Sequence, residues 1–201
     1  MAGISQFLNA AGFNNFEGNC YEENAQIRDL IGVSKDSSIK NILEIGFNAG
    51  HSACTFLSNN ITVNVVSFDL GIHDYIPKAK EYIDETYPTR HSLILGDSTQ
   101  TIPKYIIDNP DKKFDVIFID GGHEYEVANA DLENCAKLAH TDTIVLLDDT
   151  MFVNEWSRIW TYGPTKTWAE HLETNRLIEI ARKNYGPGKG MCWGKYILSQ
   201  S

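Results

Sequence analysis

The chain has 201 residues, of which 42% are hydrophobic, 22% charged and 11% aromatic, a length and composition typical of one globular domain. Its formal net charge of -10 argues against a protein that binds nucleic acid, because such proteins carry clustered Lys and Arg. No stretch approaches the ~20 apolar residues of a membrane span, so we expect small-molecule or protein partners and neither a nucleic acid nor a membrane.

The N-terminal part of the chain, residues 1–38, carries only weak hydrophobic periodicity. One helix is predicted over Glu22–Ile31, with Gly32 as its end. We interpret this part as an N-terminal helical extension or lid of a single domain that spans residues 1–201.

Short apolar runs rich in Ile, Val and Phe follow, and they are typical of buried parallel strands. The runs are Asn41–Ile45, Val63–Phe68, Ser92–Leu95, Phe114–Ile119 and Thr143–Leu147. Before the last run, apolar residues recur at helical spacing and predict a helix face that covers the sheet: Ala128, Leu132, Cys135 and Ala139. This alternation predicts an α/β protein with a Rossmann-like, doubly wound and mostly parallel sheet and helices on both faces.

The pattern of the sequence changes after Thr150. Leu177–Ile180 and Met191–Leu198 flank a glycine-rich loop, a pattern that predicts two strands joined by a turn and an antiparallel C-terminal strand. Four aromatic residues precede them: Trp156, Trp160, Tyr162 and Trp168. Such rings suit an acceptor pocket or lid, and core packing or a dimer interface is an equal alternative.

The cysteines and the N-terminus bear on the cellular location. Four cysteines lie far apart in the sequence: Cys20, Cys54, Cys135 and Cys192. They form no Cys-x-x-Cys pair, so we expect reduced thiols instead of a disulfide framework or a zinc site. Because the N-terminus shows neither a secretion signal nor a myristoylated glycine, we predict a cytoplasmic location.

A glycine-containing turn follows the first predicted strand, in the segment Glu44–Gly50. Glycines there let a strand turn sharply into a helix whose N-terminal amides face a ligand, which is typical of a nucleotide cradle. A dehydrogenase fingerprint has glycine where this chain has Asn48, so a pyrophosphate is disfavoured, although asparagine tolerates a left-handed backbone. An ordinary strand-to-helix turn is the alternative. His51, directly after the turn, is placed by the sequence either near a bound cofactor or, as is more usual for a histidine at a helix N-terminus, in solvent.

Acidic residues end or follow several predicted strands: Glu44, Asp69, Asp97 and Asp120. Ligands of open α/β sheets bind at these carboxyl ends. Asp69 lies about 20 residues beyond the glycine turn, a spacing suited to a carboxylate that accepts both hydroxyls of a ribose. One such acid is usually a helix cap, whereas four in register are harder to explain by capping.

The segments Glu44–Gly50, Phe68–Asp69, Gly96–Ser98 and Phe114–Asp120 resemble class I S-adenosylmethionine-dependent methyltransferases. The resemblance covers roughly residues 41–150 and implies that residues 39–150 are the cofactor-binding core, with 151–201 completing the sheet and the acceptor site. The residues implied to line the methionine and ribose side are Gly46, Phe47, Asn48, Gly50 and Ser52. Asp69 would hold the ribose hydroxyls, and Asp97 with Ser98 would meet the adenine. Glu44, Leu70 and Asp120 complete the cofactor-binding set.

The stretch from Ile119 to Glu126, with Ala130–Leu132 and Val145–Thr150, is similar to metal-dependent O-methyltransferases of the sugar and catechol type. Mg²⁺ prefers carboxylates and water, and the expected ligands are Asp120, Asp148 and Asp149 at the ends of adjacent strands. His123 is predicted as the base that removes the acceptor proton, with Asp120 as its catalytic partner. Catechol-type enzymes place Asp-Asn at positions 149 and 150, so the sugar-type pattern of paired acids fits better.

These observations predict O-methylation of a small-molecule hydroxyl, on a sugar or a phenol-like acceptor, by a protein that can form homo-oligomers. Three alternatives remain open. Asp148 and Asp149 can cap the following turn while His123 bonds the loop backbone. The protein can bind the cofactor without catalysis and engage a protein partner through its aromatic C-terminal third. It can also be an aminopropyltransferase that uses a decarboxylated relative of the cofactor.

Overall fold

The computed structural model describes residues 2–18 and 24–198, and these fall into two compact units, Met1–Asp97 and Ser98–Ser201. Cys20 and the first two residues of the predicted N-terminal helix, Glu22 and Glu23, lie outside the described residues. Within the described ranges, no helix is long and apolar enough to cross a membrane. The division into a lid, a core and a C-terminal segment stays a prediction.

The first unit consists of four helices and three parallel strands in the order β3-β2-β1. Its elements are α1 (Ala2–Ala10), α2 (Asn24–Ser34), β1 (Asn41–Ile45), α3 (His51–Asn59), β2 (Asn64–Asp69), α4 (Ile76–Thr86) and β3 (His91–Leu95). Leu43, Phe56 and Phe68 are fully buried and form part of its core. Most residues of β1 and β2 are buried, as is usual where helices cover a parallel sheet on both sides, although Glu44 and Ser67 within these strands are polar.

The second unit holds four strands in the order β4-β5-β7-β6, of which β4 and β5 are parallel and β7 is antiparallel to both of its neighbours. Its elements are α5 (Ser98–Asp108), β4 (Phe114–Ile119), α6 (Tyr125–Ala136), β5 (Ala139–Asp148), α7 (Tyr162–Glu173), β6 (Leu177–Gly186) and β7 (Lys189–Tyr196). Two single 3₁₀ turns, Asn154–Trp156 and Ile159–Thr161, precede α7.

The three strands of the first unit are parallel, and in the second unit β7 is antiparallel to its neighbours, so the predicted mostly parallel, Rossmann-like α/β fold with an antiparallel C-terminal strand is confirmed. All five predicted parallel strands are present, and the two C-terminal strands are joined by the predicted turn.

Two predictions about helix ends are wrong. Gly32 does not end α2, because the amide of Lys35 still donates to Ile31 O at 3.0 Å and the hydroxyl of Ser34 donates to Leu30 O at 2.7 Å. Ala139 does not lie on the face of α6. It begins β5, where its partner across the ladder is Phe114.

Candidate active site

The glycine turn has the backbone that a cradle requires. Gly46, Asn48 and Gly50 have φ angles of 92°, 49° and 74°, in the left-handed region where glycine is favoured and asparagine tolerated. A Cβ atom on Gly50 would lie 3.0 Å from the Phe47 ring and 3.1 Å from Ile4, so this position has no room for a side chain. The turn thus brings the chain sharply into the N-terminus of α3, whose first amides have no acceptor within the helix.

Asp69, at the end of β2, is held in place by two backbone amides. The amide of Asn48 donates to its Oδ2 at 2.7 Å, and the amide of Gly71 donates to its Oδ1 at 2.8 Å. Each carboxylate oxygen has a second lone pair, which can accept a further donor. The neighbouring Leu70 side chain is exposed. The carboxylate is therefore oriented before any ligand arrives, as a site for paired hydroxyls requires.

Glu44 lies in a closed environment below the turn. It is completely buried and accepts a hydrogen bond from the hydroxyl of Ser67 at 2.5 Å. Burial raises the pKa of Glu44 to about 7, and the hydroxyls of Ser52 and Ser67 oppose that rise. Glu44 is thus a buried acid in a polar network, and Ser52 belongs to the same network.

The network continues to His91 at the start of β3. His91 Nε2 lies 2.9 Å from Ser67 Oγ, and burial lowers the pKa of His91 to about 4. The ring of Phe47 stacks on His91 with centroids 5.1 Å apart, so the Phe47 side chain belongs to the core and only its backbone can face a ligand. Ser67 and His91 were not predicted as site residues. The sequence signal that could have indicated Ser67 is its place in the strand next to β1, directly opposite Glu44.

Three further residues singled out from the sequence lie in the first unit or at its boundary with the second. Asp97 is exposed beyond β3, and Ser98 begins α5 in the second unit. His51 is buried, with its Nε2 3.0 Å from Ser5 Oγ, so the expectation that it is solvated is wrong. Helix α1 covers this position, which a short sequence window around the turn does not reveal.

The second unit brings together Asp120, His123 and Asp149. One ligand atom from each lies within 4.8 Å of the others, and Nε2 of His123 is 2.8 Å from Oδ2 of Asp149. Asp120 directly follows β4 and Asp149 directly follows β5, and these two strands are adjacent and parallel. The cluster therefore combines two predicted metal ligands with the predicted base.

Asp148, the third predicted metal ligand, is not in this group of described residues. It is buried, and its Oδ1 accepts the amide of Asp149 at 2.9 Å. Asp149 has a left-handed backbone, with φ 54°, where the chain leaves the strand. The surroundings differ because Asp148 is the last residue of β5, whereas the left-handed backbone of Asp149 takes it out of the strand. Asp148 as a metal ligand stays a prediction.

The imidazole of His123 is half-exposed and paired with a carboxylate. The hydrogen bond to Asp149 raises the pKa of His123 above its usual value, against the effect of burial. An imidazole oriented in this way can accept a proton, and its basicity increases through the pairing. It can also bind a cation when it is neutral.

Gly163 supports the loop that carries His123, and it was not predicted. A Cβ atom at this position of α7 would lie 2.1 Å from His123 O and 2.8 Å from Tyr125 N. The helix therefore packs directly against the loop backbone. The hydroxyl of Tyr125 also donates to Glu170 on α7 at 2.5 Å. The only local signal was a Gly-Pro pair in an otherwise uninformative segment.

The aromatic residues of the C-terminal segment have different roles. Trp168 is fully buried and donates from Nε1 to Glu179 at 2.7 Å, so it is a core residue. Trp160 donates to Gly188 O at 3.0 Å and is partly exposed, as are Trp156 and Tyr162. Three cysteines, Cys54, Cys135 and Cys192, are buried free thiols, as expected.

Comparison with known proteins identifies the family to which the chain belongs. A family model described as a methyltransferase domain matches residues 43–150. No curated protein sequence matches the chain.

Solved structures share the fold at low sequence identity. An O-methyltransferase from Bacillus cereus, in complex with SAH, is 18% identical, has a TM-score of 0.75, and is matched over 96% of this chain and 89% of its own. The O-methyltransferase TomG from Streptomyces achromogenes, in complex with SAM, is 14% identical, with a TM-score of 0.74 and coverage of 97% and 88%. The SAH-bound methyltransferase PaMTH1 from Podospora anserina is 19% identical, with a TM-score of 0.66 and coverage of 85% and 77%.

The matched region, residues 43–150, exceeds half of the chain and includes both the glycine turn and the Asp120 cluster. The resemblance on which the sequence interpretation depends is thereby confirmed. This chain belongs to the methyltransferase domain family and is a methyltransferase.

Proposed function

We propose that this methyltransferase moves a methyl group from S-adenosylmethionine to a hydroxyl oxygen of a small molecule with a sugar-like or phenol-like acceptor group. The neighbours from Bacillus cereus and Streptomyces achromogenes are O-methyltransferases in complex with SAH and SAM. The observation in this chain that carries the proposal is the convergence of Asp120, His123 and Asp149 beyond two adjacent parallel strands. Such a group offers both a base and oxygen ligands for a cation.

The cofactor half of the proposal depends on the glycine turn and on Asp69. The turn has left-handed backbone at Gly46 and Gly50, which allows a ligand to approach the backbone closely. The fixed carboxylate of Asp69 has lone pairs left for the ribose hydroxyls. The other predicted contacts, from Ser52, Leu70, Asp97, Ser98 and Asp120, belong to the same proposal.

The chemical step is a displacement at the methyl carbon. The acceptor oxygen forms a bond to that carbon while the carbon–sulfur bond breaks. The electron pair of the broken bond stays on sulfur, and S-adenosylhomocysteine leaves. The hydroxyl proton must leave to a base, and we assign this role to His123. When Nε2–H donates to Asp149, Nδ1 is the basic nitrogen, and Asp149 keeps the ring oriented.

The donor set of the cluster fits a divalent cation. Asp120 and Asp149 supply two carboxylates, and Mg²⁺ is commonly held by one or two carboxylates plus water. A histidine nitrogen as a third ligand would favour a softer ion such as Zn²⁺. We place Mg²⁺ on the carboxylates and keep His123 as the base. When bound, the cation would polarise the acceptor hydroxyl and lower its pKa.

The proposal is tested by following labelled methyl groups from S-adenosylmethionine into a library of sugars and phenols. We expect His123→Gln to lower turnover by about 10²–10⁴-fold, the usual contribution of a general base, while S-adenosylhomocysteine binding is retained. Asp120→Asn should make turnover far less responsive to added Mg²⁺. Asp111→Asn is the control, since Asp111 is an exposed acid at the turn before β4.

Each part of the proposal has its own contrary result. Absence of S-adenosylhomocysteine binding at millimolar concentration would refute the cofactor assignment. Turnover undiminished in excess EDTA would remove the cation from the mechanism. Cofactor binding with no turnover on any hydroxyl would support a binding protein without catalysis, and preferential binding of the decarboxylated cofactor would support aminopropyl transfer.

A further inference from the structure

The segment Phe13–Gly18, which we name the strap, lies against the glycine turn within the first unit. Helix α1 anchors its N-terminal end. Leu8 of that helix is fully buried, and its carbonyl accepts the amide of Phe13 at 3.0 Å. The strap is thus tied to the body of unit 1 immediately before it reaches the turn.

The side chain of Asn48 joins the strap to the turn. Its amide nitrogen donates to the carbonyls of Glu17 and Gly18, the second of these at 3.3 Å. Its Oδ1 accepts the hydroxyl of Tyr75 at 2.6 Å. Its backbone amide donates to Asp69, the residue that we assign to the ribose. One residue therefore connects the strap, Tyr75 and the cofactor carboxylate.

Aromatic and charged contacts around Tyr75 reinforce the connection. Phe16 meets the Tyr75 ring edge-on with centroids 5.3 Å apart, and His73 stacks on the same ring with centroids 4.9 Å apart. Glu17 is 2.7 Å from His73 Nε2. Phe16 and Glu17 thus hold the strap against Tyr75 and His73, and Asn48 connects the strap to the glycine turn.

We propose that Asn48 is a positioning residue that fastens the strap to the glycine turn, and that the fastened strap slows release of the cofactor. A glycine at this position would satisfy the left-handed backbone better than asparagine. The asparagine is explained by its side-chain hydrogen bonds, which a glycine cannot make. The part of the inference that concerns the cofactor depends on the proposed function.

Asn48→Gly separates the two roles of this residue. If Asn48 serves only the backbone of the turn, the variant binds cofactor equally or more tightly. If it fastens the strap, loss of its hydrogen bonds, each of modest strength, should speed S-adenosylhomocysteine dissociation by about 5–10-fold. Tyr75→Phe removes one of the same bonds and keeps the ring, so we expect a smaller change in the same direction.

The control is Asn175→Gly, because Asn175 also has a left-handed backbone, with φ 53°, and lies in the second unit. Hydrogen exchange of peptides covering residues 13–18 is measured in the protein without ligand, and dissociation is measured by stopped flow. We expect faster exchange in Asn48→Gly and Tyr75→Phe and wild-type exchange in Asn175→Gly.

The two readouts keep the inference distinct from the proposed function. If wild-type protein fails to bind S-adenosylhomocysteine, the proposed function fails, while the exchange data still test the strap. If the wild type binds but Asn48→Gly shows unchanged exchange and unchanged dissociation, the strap inference is wrong. Faster hydrogen exchange of the strap with unchanged dissociation of S-adenosylhomocysteine would overturn the second half of the inference, that the strap slows release of the cofactor.

Discussion

Substitution of Gly163 by alanine should damage the loop that carries His123. The added Cβ atom would lie 2.1 Å from His123 O, almost 1 Å closer than the 3.0 Å below which such contacts are essentially never observed. The two next nearest atoms, Tyr125 N at 2.8 Å and Glu124 C at 3.0 Å, are also backbone atoms. No flexible side chain can move aside, so either the loop or α7 must shift.

The size of the effect follows from this overlap. Overpacking of this kind costs about 1–3 kcal/mol of unfolding free energy, and each kcal/mol corresponds to about 2–4 °C in Tm for a chain of this length. A catalytic group displaced by about 1 Å loses about 10²-fold in rate. We therefore expect a lower Tm and a kcat reduced by about 100-fold in Gly163→Ala.

The assay combines thermal denaturation, methyl transfer and cofactor calorimetry. Cofactor affinity should change less than turnover, because the turn and Asp69 belong to the other unit and only Ser98 and Asp120 of the proposed cofactor contacts share a unit with Gly163. Gly186→Ala is the control, since no atom lies within 4 Å of its added Cβ. Wild-type turnover and Tm in Gly163→Ala would refute the reasoning. A lower Tm with wild-type turnover would show that α7 shifts instead of the loop.

Three further predictions concern stability, measured by urea denaturation. Burial raises the pKa of Glu44 from 4.5 to about 7, so on raising the pH the unfolded chain loses this proton before the folded protein does. The free energy of unfolding therefore falls, by about 3 kcal/mol, as the pH rises from 4.5 through 7. Glu44→Gln should remove this fall. Trp168→Phe should cost about 1 kcal/mol, because the part-buried hydrogen bond from the fully buried indole to Glu179 is lost. Gly32→Ala should add about 0.5–1 kcal/mol, since Gly32 is exposed inside α2 with open space around it.

The strands were predictable where both faces of the sheet are covered. β1 and β4 have the predicted bounds, because a short, predominantly apolar run rich in Ile, Val and Phe is typical of a buried parallel strand. The polar first half of β5 was missed. Its place in the sheet is fixed by distant partners, since the hydroxyl of Thr143 donates to Phe114 O at 2.6 Å and His140 lies 3.0 Å from Asp115.

In the candidate site, too, the features that follow from local sequence were predicted and those that depend on distant contacts were not. Asp120 and Asp149 were predicted to lie near each other because the carboxyl ends of adjacent parallel strands share one edge. Gly163 was not predicted, because its importance comes from helix packing against a loop about forty residues earlier in the chain. Local spacing carries no record of such a contact.

Glu44 and Asp69 show why the position of an acid after a strand does not by itself define its role. Glu44 is closed off below the turn, and a pKa near 7 leaves it substantially protonated at neutral pH. Asp69 is partly exposed, and two backbone amides donate to its carboxylate and hold it in one orientation. The proposed function therefore assigns the ribose hydroxyls to Asp69, whereas Glu44 shares a buried polar network with Ser52 and Ser67 next to the turn.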